Sequence, residues 1–138
     1  MSKVLIILTG PPGSPLMEHA GTLNATVYDQ RLGNKSMWRD HKRGTGDAVL
    51  VTPGPTPAAK LYWEAEANRY GFSPVVQLLD PGRQVCVDAL TVGHGLTDAQ
   101  KKRLARTVQR WYTNYSPHPR EEHVNYGGNQ SISKAKVG

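Results

Sequence analysis

The feature that most constrains the fold is an unbroken aliphatic run, Val4–Leu8, that ends in a glycine- and proline-rich turn, Gly10–Ser14. An apolar run without polar alternation is typical of a strand buried on both faces, as in a parallel sheet covered by helices. A glycine turn directly after such a strand can surround a phosphate with backbone N–H groups. The candidate nucleotide- or anion-binding residues are therefore Gly10, Pro11, Pro12, Gly13 and Ser14. A simpler interpretation, which we favour, is a strand-ending turn without a ligand.

The turn departs from the Walker A pattern G-x-x-x-x-G-K-[ST]. Residues 10–17 read GPPGSPLM, so Pro15, Leu16 and Met17 stand where the pattern has its second glycine, its lysine and its hydroxyl. Phosphoryl transfer depends on that lysine and on a magnesium ion held by that hydroxyl. Pro15 also lacks the N–H that would face a phosphate. Ordinary kinase or ATPase activity is therefore not expected, and ATP with magnesium would be a cofactor only if the loop worked in a non-standard way.

The rest of the chain predicts repeated βα units. Further strands are expected at Thr26–Asp29, Ala48–Thr52 and Pro74–Leu79, and helices after Thr56, Asp80 and Thr97. This alternation predicts a single-domain α/β fold, a parallel sheet with flanking helices. Ligands bind such sheets at the carboxyl ends of the strands, and one edge should therefore carry Gly10–Ser14, Asp29, Thr52–Pro55 and Asp80.

Two details of the helices follow from local patterns. In the helix after Thr56, the spacing of Ala58, Leu61, Tyr62 and Ala65 predicts that these residues form the buried face. Asp80 followed by proline predicts a helix N-cap at Asp80.

Chain length and charge further limit the possible functions. With 138 residues we expect one domain, 1–117, followed by a tail, 118–138, that is flexible or bound to a partner. The net charge of +6 favours contact with an anionic partner. A single cysteine, Cys86, fits a reducing compartment, and the apolar opening run is too short for a membrane span, so we expect a cytoplasmic protein without membrane contact.

A basic stretch opens the last predicted helix. Lys102, Arg103, Arg106 and Arg110 form a basic surface, joined by Lys101 and with no acidic residue among them. Such a surface can bind nucleic-acid phosphates, or it can be the solvated face of an amphipathic helix. Both interpretations stay open.

Other candidate residues are isolated. Trp38, in a basic loop, could anchor a protein partner or a base, or pack back on the sheet edge. Asp29 would be the catalytic carboxylate if the protein were active, and is otherwise a solvated strand end. The five histidines form no metal-binding spacing with one another or with Cys86, so no metal site is expected.

Three segments resemble the small P-loop kinase-like ATPases of actinobacterial phages and prophages. They are VLIILTGPPGS at 4–14, VVQLLDPGRQVC at 75–86 and VQRWYTNYSP at 108–117. The resemblance implies a P-loop nucleotide-kinase-like fold and ATP binding or hydrolysis. This chain departs from it by having no Gly-Lys-[Ser/Thr] after the turn and by a short segment between Asp29 and Ala48, which suggests a truncated version.

Four functional hypotheses follow. The first is a catalytically degenerate P-loop protein that binds a protein partner or phage assembly through its basic surface and tail. The others are an active ATP-dependent phosphotransferase with a non-standard loop, a phage virion or packaging component, and a non-specific nucleic-acid-binding protein. The expected location is the host cytoplasm, with virion association under the third hypothesis.

Overall fold

The strand β1 (Lys3–Thr9) lies at the centre of a parallel sheet. The computed structural model describes residues 3–30, 37, 41 and 46–124. Within these residues the sheet has five strands in the order β2-β3-β1-β4-β5. All four pairings are parallel. The other strands are β2 (Thr26–Asp29), β3 (Ala48–Val51), β4 (Phe72–Leu79) and β5 (Glu122–Val124). The predicted α/β fold with a parallel sheet is confirmed.

Four helices are described: α1 (Leu16–Gly21), α2 (Pro57–Arg69), α3 (Arg83–Thr91) and α4 (Asp98–Asn114). A capping box begins α4. Thr97 Oγ1 accepts a hydrogen bond from Gln100 N at 3.2 Å, and Thr97 N donates to Gln100 Oε1 at 2.8 Å. These reciprocal bonds satisfy backbone donors at the start of the helix. None of the helices in the described part of the chain has the length and hydropathy needed to span a membrane.

The aliphatic run of β1 is buried on both faces of the sheet. Leu5 and Ile7 pack in one hydrophobic cluster with Trp63 and Ala67 of α2. Leu8 packs in a second cluster with Leu16 and Ala20 of α1, among others. Since each face has its own helical cover, neither set of alternating side chains can be polar, which explains the unbroken apolar sequence.

Helix α2 buries a different face from the predicted one. Leu61 and Tyr62 are 46% and 49% exposed, whereas Lys60 and Trp63 are 1% and 5% exposed. Ala58 and Ala65 are exposed as well. The prediction was wrong because a helix with apolar residues on two sides has no single amphipathic face, and the large indole of Trp63 is the side chain that fills the space over the sheet.

The packed chain continues past the predicted boundary at residue 117. His118 is 2% exposed, and β5 pairs with β4 through Gln77↔Glu122, Leu78↔His123 and Leu79↔Val124. Residues 118–124 therefore belong to the sheet domain and not to a tail. The rest of the predicted tail, 125–138, lies outside the described residues.

Candidate functional site

The parallel strands bring the predicted site residues to one edge of the sheet. β1 ends at Thr9 and leads into Gly10–Ser14, β2 ends at Asp29, and β3 ends at Val51. A cleft of about 460 Å³ opens there, and Ser14, Asp29 and Pro53 all line it. Trp38 lies outside the described residues.

The charge of this cleft does not suit a triphosphate. Its described lining carries two carboxylates, Glu18 and Asp29, and no lysine, arginine or histidine. Leu16 and Met17, which replace the lysine and hydroxyl of the Walker pattern, contribute apolar side chains to the wall of the cleft. Phosphoryl groups need positive charge around their oxygens, which these described residues do not supply.

The N–H groups of the Gly10–Ser14 turn are largely absent or already used. Pro11, Pro12 and Pro15 have no N–H. Ser14 N donates to Pro11 O at 3.1 Å, and the Ser14 hydroxyl donates to the same carbonyl. Leu16 N donates to Ser14 O at 2.9 Å. The turn is closed on itself, whereas a phosphate cradle needs several N–H groups directed at one point.

Both glycines of the turn are explained by close packing. A Cβ on Gly10 would lie too close to Leu79 O at the end of β4. Gly13 has a φ of +88°, and a Cβ there would overlap the backbone carbonyl of Cys86 in α3. The glycines therefore let β4 and α3 approach the turn, with no phosphate needed to account for them.

Helices α3 and α4 sit against the loops of this edge. Trp111 Nε1 donates to Pro53 O at 2.6 Å, and Ser116 N donates to Pro55 O at 2.9 Å. Asp80 is not the N-cap that the sequence predicted. Its Oδ1 accepts hydrogen bonds from Gly82 N at 3.0 Å and from the Tyr112 hydroxyl, and α3 begins only at Arg83 after a Gly82 with a φ of 105°.

The two groups next to Asp80 are poor nucleophiles. Burial and the hydrogen bond to Asp80 raise the pKa of Tyr112 well above its ordinary value. Burial also raises the pKa of the Cys86 thiol to about 11, so it is protonated at neutral pH. The described residues contain no cluster of three or more His, Cys, Asp or Glu side chains able to hold a metal ion.

The basic surface of α4 is exposed along its length, since Lys102, Arg103, Arg106 and Arg110 all reach solvent. Sequence reasoning missed a further cation beside it, Arg83 of α3, because the α3–α4 contact is not visible in the chain order. Arg83 and Arg106 line a groove of about 340 Å³ between the two helices. The Arg83 guanidinium donates to Gln109 Oε1 across this groove.

Sequence reasoning also missed a buried polar network that joins α2 to the segment before β5. Lys60 Nζ lies 3.0 Å from Glu121 Oε1, and the Tyr115 hydroxyl donates to Glu121 Oε2. His118 Nδ1 accepts from Arg120 N at 3.0 Å, so its other nitrogen, Nε2, carries the proton that faces Glu64 Oε1 at 3.2 Å. No local spacing signals the Lys60–Glu121 and Glu64–His118 pairs, because their partners lie more than fifty positions apart.

The fold is similar to one described as the crystal structure of a gluconokinase from Sinorhizobium meliloti 1021. The TM-score is 0.59 at 11% sequence identity, over 88% of this chain and 81% of that chain. At this identity the similarity shows the fold alone, and it supports a P-loop kinase-like fold. No protein-family model and no curated protein sequence matches this chain.

Proposed function

We propose that this chain is a catalytically degenerate P-loop kinase-like protein that acts as a binding or accessory factor and does not turn over nucleoside triphosphates. The observation that carries the proposal is the segment Gly10–Met17. It keeps the position of a phosphate-binding loop at the end of β1, yet it has no lysine, and its described hydrogen bonds close the turn on itself.

The size of the expected loss of catalytic rate supports this proposal. Removing a single preorganised donor from an active site typically slows the reaction by about 10²–10³. Here the lysine, the magnesium-binding hydroxyl and the N–H of residue 15, which is a proline, are missing together. A cleft wall that carries Glu18 and Asp29 would further repel a triphosphate.

Under this proposal the protein acts through its outer surfaces. The basic surface of α4 is the best-described candidate, and Trp38 and residues 125–138 are further candidates from the sequence. The sequence resemblance to phage ATPases supports a phage-encoded factor in the host cytoplasm. A related role would be that of a virion or packaging component.

One arrangement favours a second candidate, an active ATP-dependent phosphotransferase with a non-standard loop. Arg110 and Pro12 line a small pocket of about 200 Å³ beside the Gly10–Ser14 turn. Arg110 could then supply the positive charge that the lysine no longer gives, with Asp29 across the same sheet edge as the catalytic carboxylate.

Phosphate release from ATP and GTP with magnesium separates the two candidates. The variants are Asp29→Asn and Arg110→Gln, with Asp98→Asn and Arg69→Gln as matched controls on exposed positions away from the cleft. The proposal predicts no release above the buffer rate for any of these proteins. Magnesium-dependent release by the unmodified chain that falls in Asp29→Asn or Arg110→Gln, and not in the controls, would establish the phosphotransferase instead.

A further inference from the structure

The basic residues of the α3–α4 hairpin are exposed. Lys102, Arg103, Arg106 and Arg110 of α4 form no ion pair with a carboxylate anywhere in the described ranges 3–30, 37, 41 and 46–124. Within the same ranges, Arg83 of α3 is bonded to a neutral side chain, Gln109, and pairs with no carboxylate. This contrasts with Lys60, Arg69 and Arg120, which each pair with a glutamate.

We propose that the groove between α3 and α4 binds the phosphate backbone of double-stranded nucleic acid, with Arg83 and Arg106 facing each other across it. This inference rests on the proposed function in one respect, that the chain acts through an outer surface. It adds the class of partner, the residues that contact it, and Arg83 as a member of the site.

The spacing of the cations fits a phosphate backbone. Residues 102, 106 and 110 lie on one side of α4, and at a rise of about 1.5 Å per residue they span about 12 Å. One strand of a duplex presents a phosphate about every 3.4 Å along the axis, so this length meets about three or four of them. Arg83 adds a positive charge from the neighbouring helix, so that cations from both helices line the groove.

The chemistry of the groove favours nucleic acid over an acidic protein. Its described lining carries two arginines, Arg83 and Arg106, and two amides, Gln84 and Gln109, and it includes no carboxylate and no aromatic ring. Protein interfaces carry an apolar or aromatic centre, whereas nucleic-acid interfaces are polar and rich in positive charge. Asp88, next along α3, accepts a hydrogen bond from Gln84 Nε2 at 2.8 Å and forms no ion pair with these cations in the part of the chain described.

The aromatic residues of α4 favour a duplex over a single strand. Single-strand binding proteins stack bases on exposed aromatic rings. In α4, Trp111 is 6% exposed and donates to Pro53 O, and the Tyr112 hydroxyl is bound to Asp80. Trp111 is buried and Tyr112 is half-buried, and the exposed side chains of α4 include no aromatic ring, so the contacts left to the helix are mainly charge contacts with the backbone.

The test is fluorescence anisotropy of the full chain with a labelled DNA duplex, a single-stranded oligothymidine and poly-glutamate, each over a series of salt concentrations. If the five cations each meet one phosphate, the logarithm of the association constant falls with the logarithm of salt with a slope of about −4.5. The double variant Arg83→Gln/Arg106→Gln should flatten the slope by about two. The control Arg69→Gln removes an equal charge per substitution from α2, away from the groove, and should leave the slope unchanged.

Several results would overturn the inference. These are no duplex binding at low salt, an equal flattening of the salt slope in the Arg69→Gln control, or tighter binding of poly-glutamate or of the single strand than of the duplex. Thermal melting of each variant verifies its fold, and since all three positions are exposed side chains, the melting temperatures should match. Phosphate release from ATP is measured separately. If the protein neither binds a duplex nor releases phosphate, this inference is contradicted and the proposed function is not.

Discussion

Lys60 and Glu121 form an ion pair of 3.0 Å in which the side chains are only 1% and 2% exposed. Lys60 lies in the first turns of α2, and Glu121 lies directly before β5. The lysine ammonium also lies 5.6 Å from the centre of the Tyr115 ring. The pair therefore fixes the edge of the sheet to the helix that covers it.

Removing one partner of this pair should destabilise the protein strongly. Lys60→Met leaves the Glu121 carboxylate buried without its cation, and such a loss costs about 3–5 kcal/mol. The double variant Lys60→Met/Glu121→Gln should lose less than the sum of the two single variants. Urea unfolding measures both. The control Arg69→Gln, which breaks a pair whose arginine is 71% exposed, should change the free energy of unfolding by under about 1 kcal/mol.

The same network predicts how stability depends on pH. Burial alone would raise the pKa of Glu121, but hydrogen bonds from Tyr115 and Lys60 hold it below its ordinary value of 4.5. Hydrogen bonds from Arg120 and His118 likewise outweigh burial and lower the pKa of Glu64. Because the folded-state pKa values are lowered, these carboxylates stabilise the protein above about pH 4.5, and this contribution is lost as the pH falls through the folded-state values.

Urea unfolding over a series of acidic pH values checks this prediction. Glu121→Gln should show a weaker acid dependence of the unfolding free energy than the unmodified chain. Glu122→Gln changes the next residue, which is exposed, and should keep the original dependence. An identical dependence in all three proteins would contradict the role given to Glu121.

The packing of Gly13 against α3 predicts that this residue tolerates no side chain. Gly13→Ala introduces a Cβ at a φ of +88° and against the Cys86 carbonyl. The backbone strain alone costs about 1–3 kcal/mol. Gly21→Ala is the control, since nothing lies within 4 Å of its added Cβ and it ends a helix. Thermal melting should show a large loss for the first variant and none for the second.

Much of this fold could be predicted from local pattern, whereas the contacts between residues far apart in the sequence could not. The strands β1, β3 and β4 and the capping box of α4 follow from apolar runs and cap residues within a few positions. The roles of Asp80, Lys60 and His118 do not follow from local pattern, because their partners, Tyr112, Glu121 and Glu64, lie 32 to 61 positions away. Contacts at such separations are set by the topology and leave no periodic signal.

The candidate site also has features that the sequence predicts and features that it does not. That Gly10–Ser14 and Asp29 share an edge follows from strand direction alone. That the two glycines serve contacts with Leu79 and Cys86 depends on where β4 and α3 pack, which no spacing in the sequence records.

Helix α2 gives a direct test of the corrected buried face. Trp63→Ala should cost about 3–5 kcal/mol, because Trp63 is 5% exposed and packs in the core cluster with Leu5 and Ile7. Leu61→Gln, at a side chain that is 46% exposed, should change the unfolding free energy by no more than about 0.5 kcal/mol. If Leu61→Gln were the more damaging substitution, the helix would face the other way.

The central claim is that the Gly10–Met17 segment no longer holds a triphosphate, and thermal melting with ATP and magnesium tests it most directly. A ligand present at about 100 times its dissociation constant stabilises a folded protein by about 2.7 kcal/mol. We predict no shift in the melting temperature at millimolar ATP or GTP, with or without magnesium. A magnesium-dependent rise that disappears in Asp29→Asn and persists in Asp98→Asn would contradict the claim.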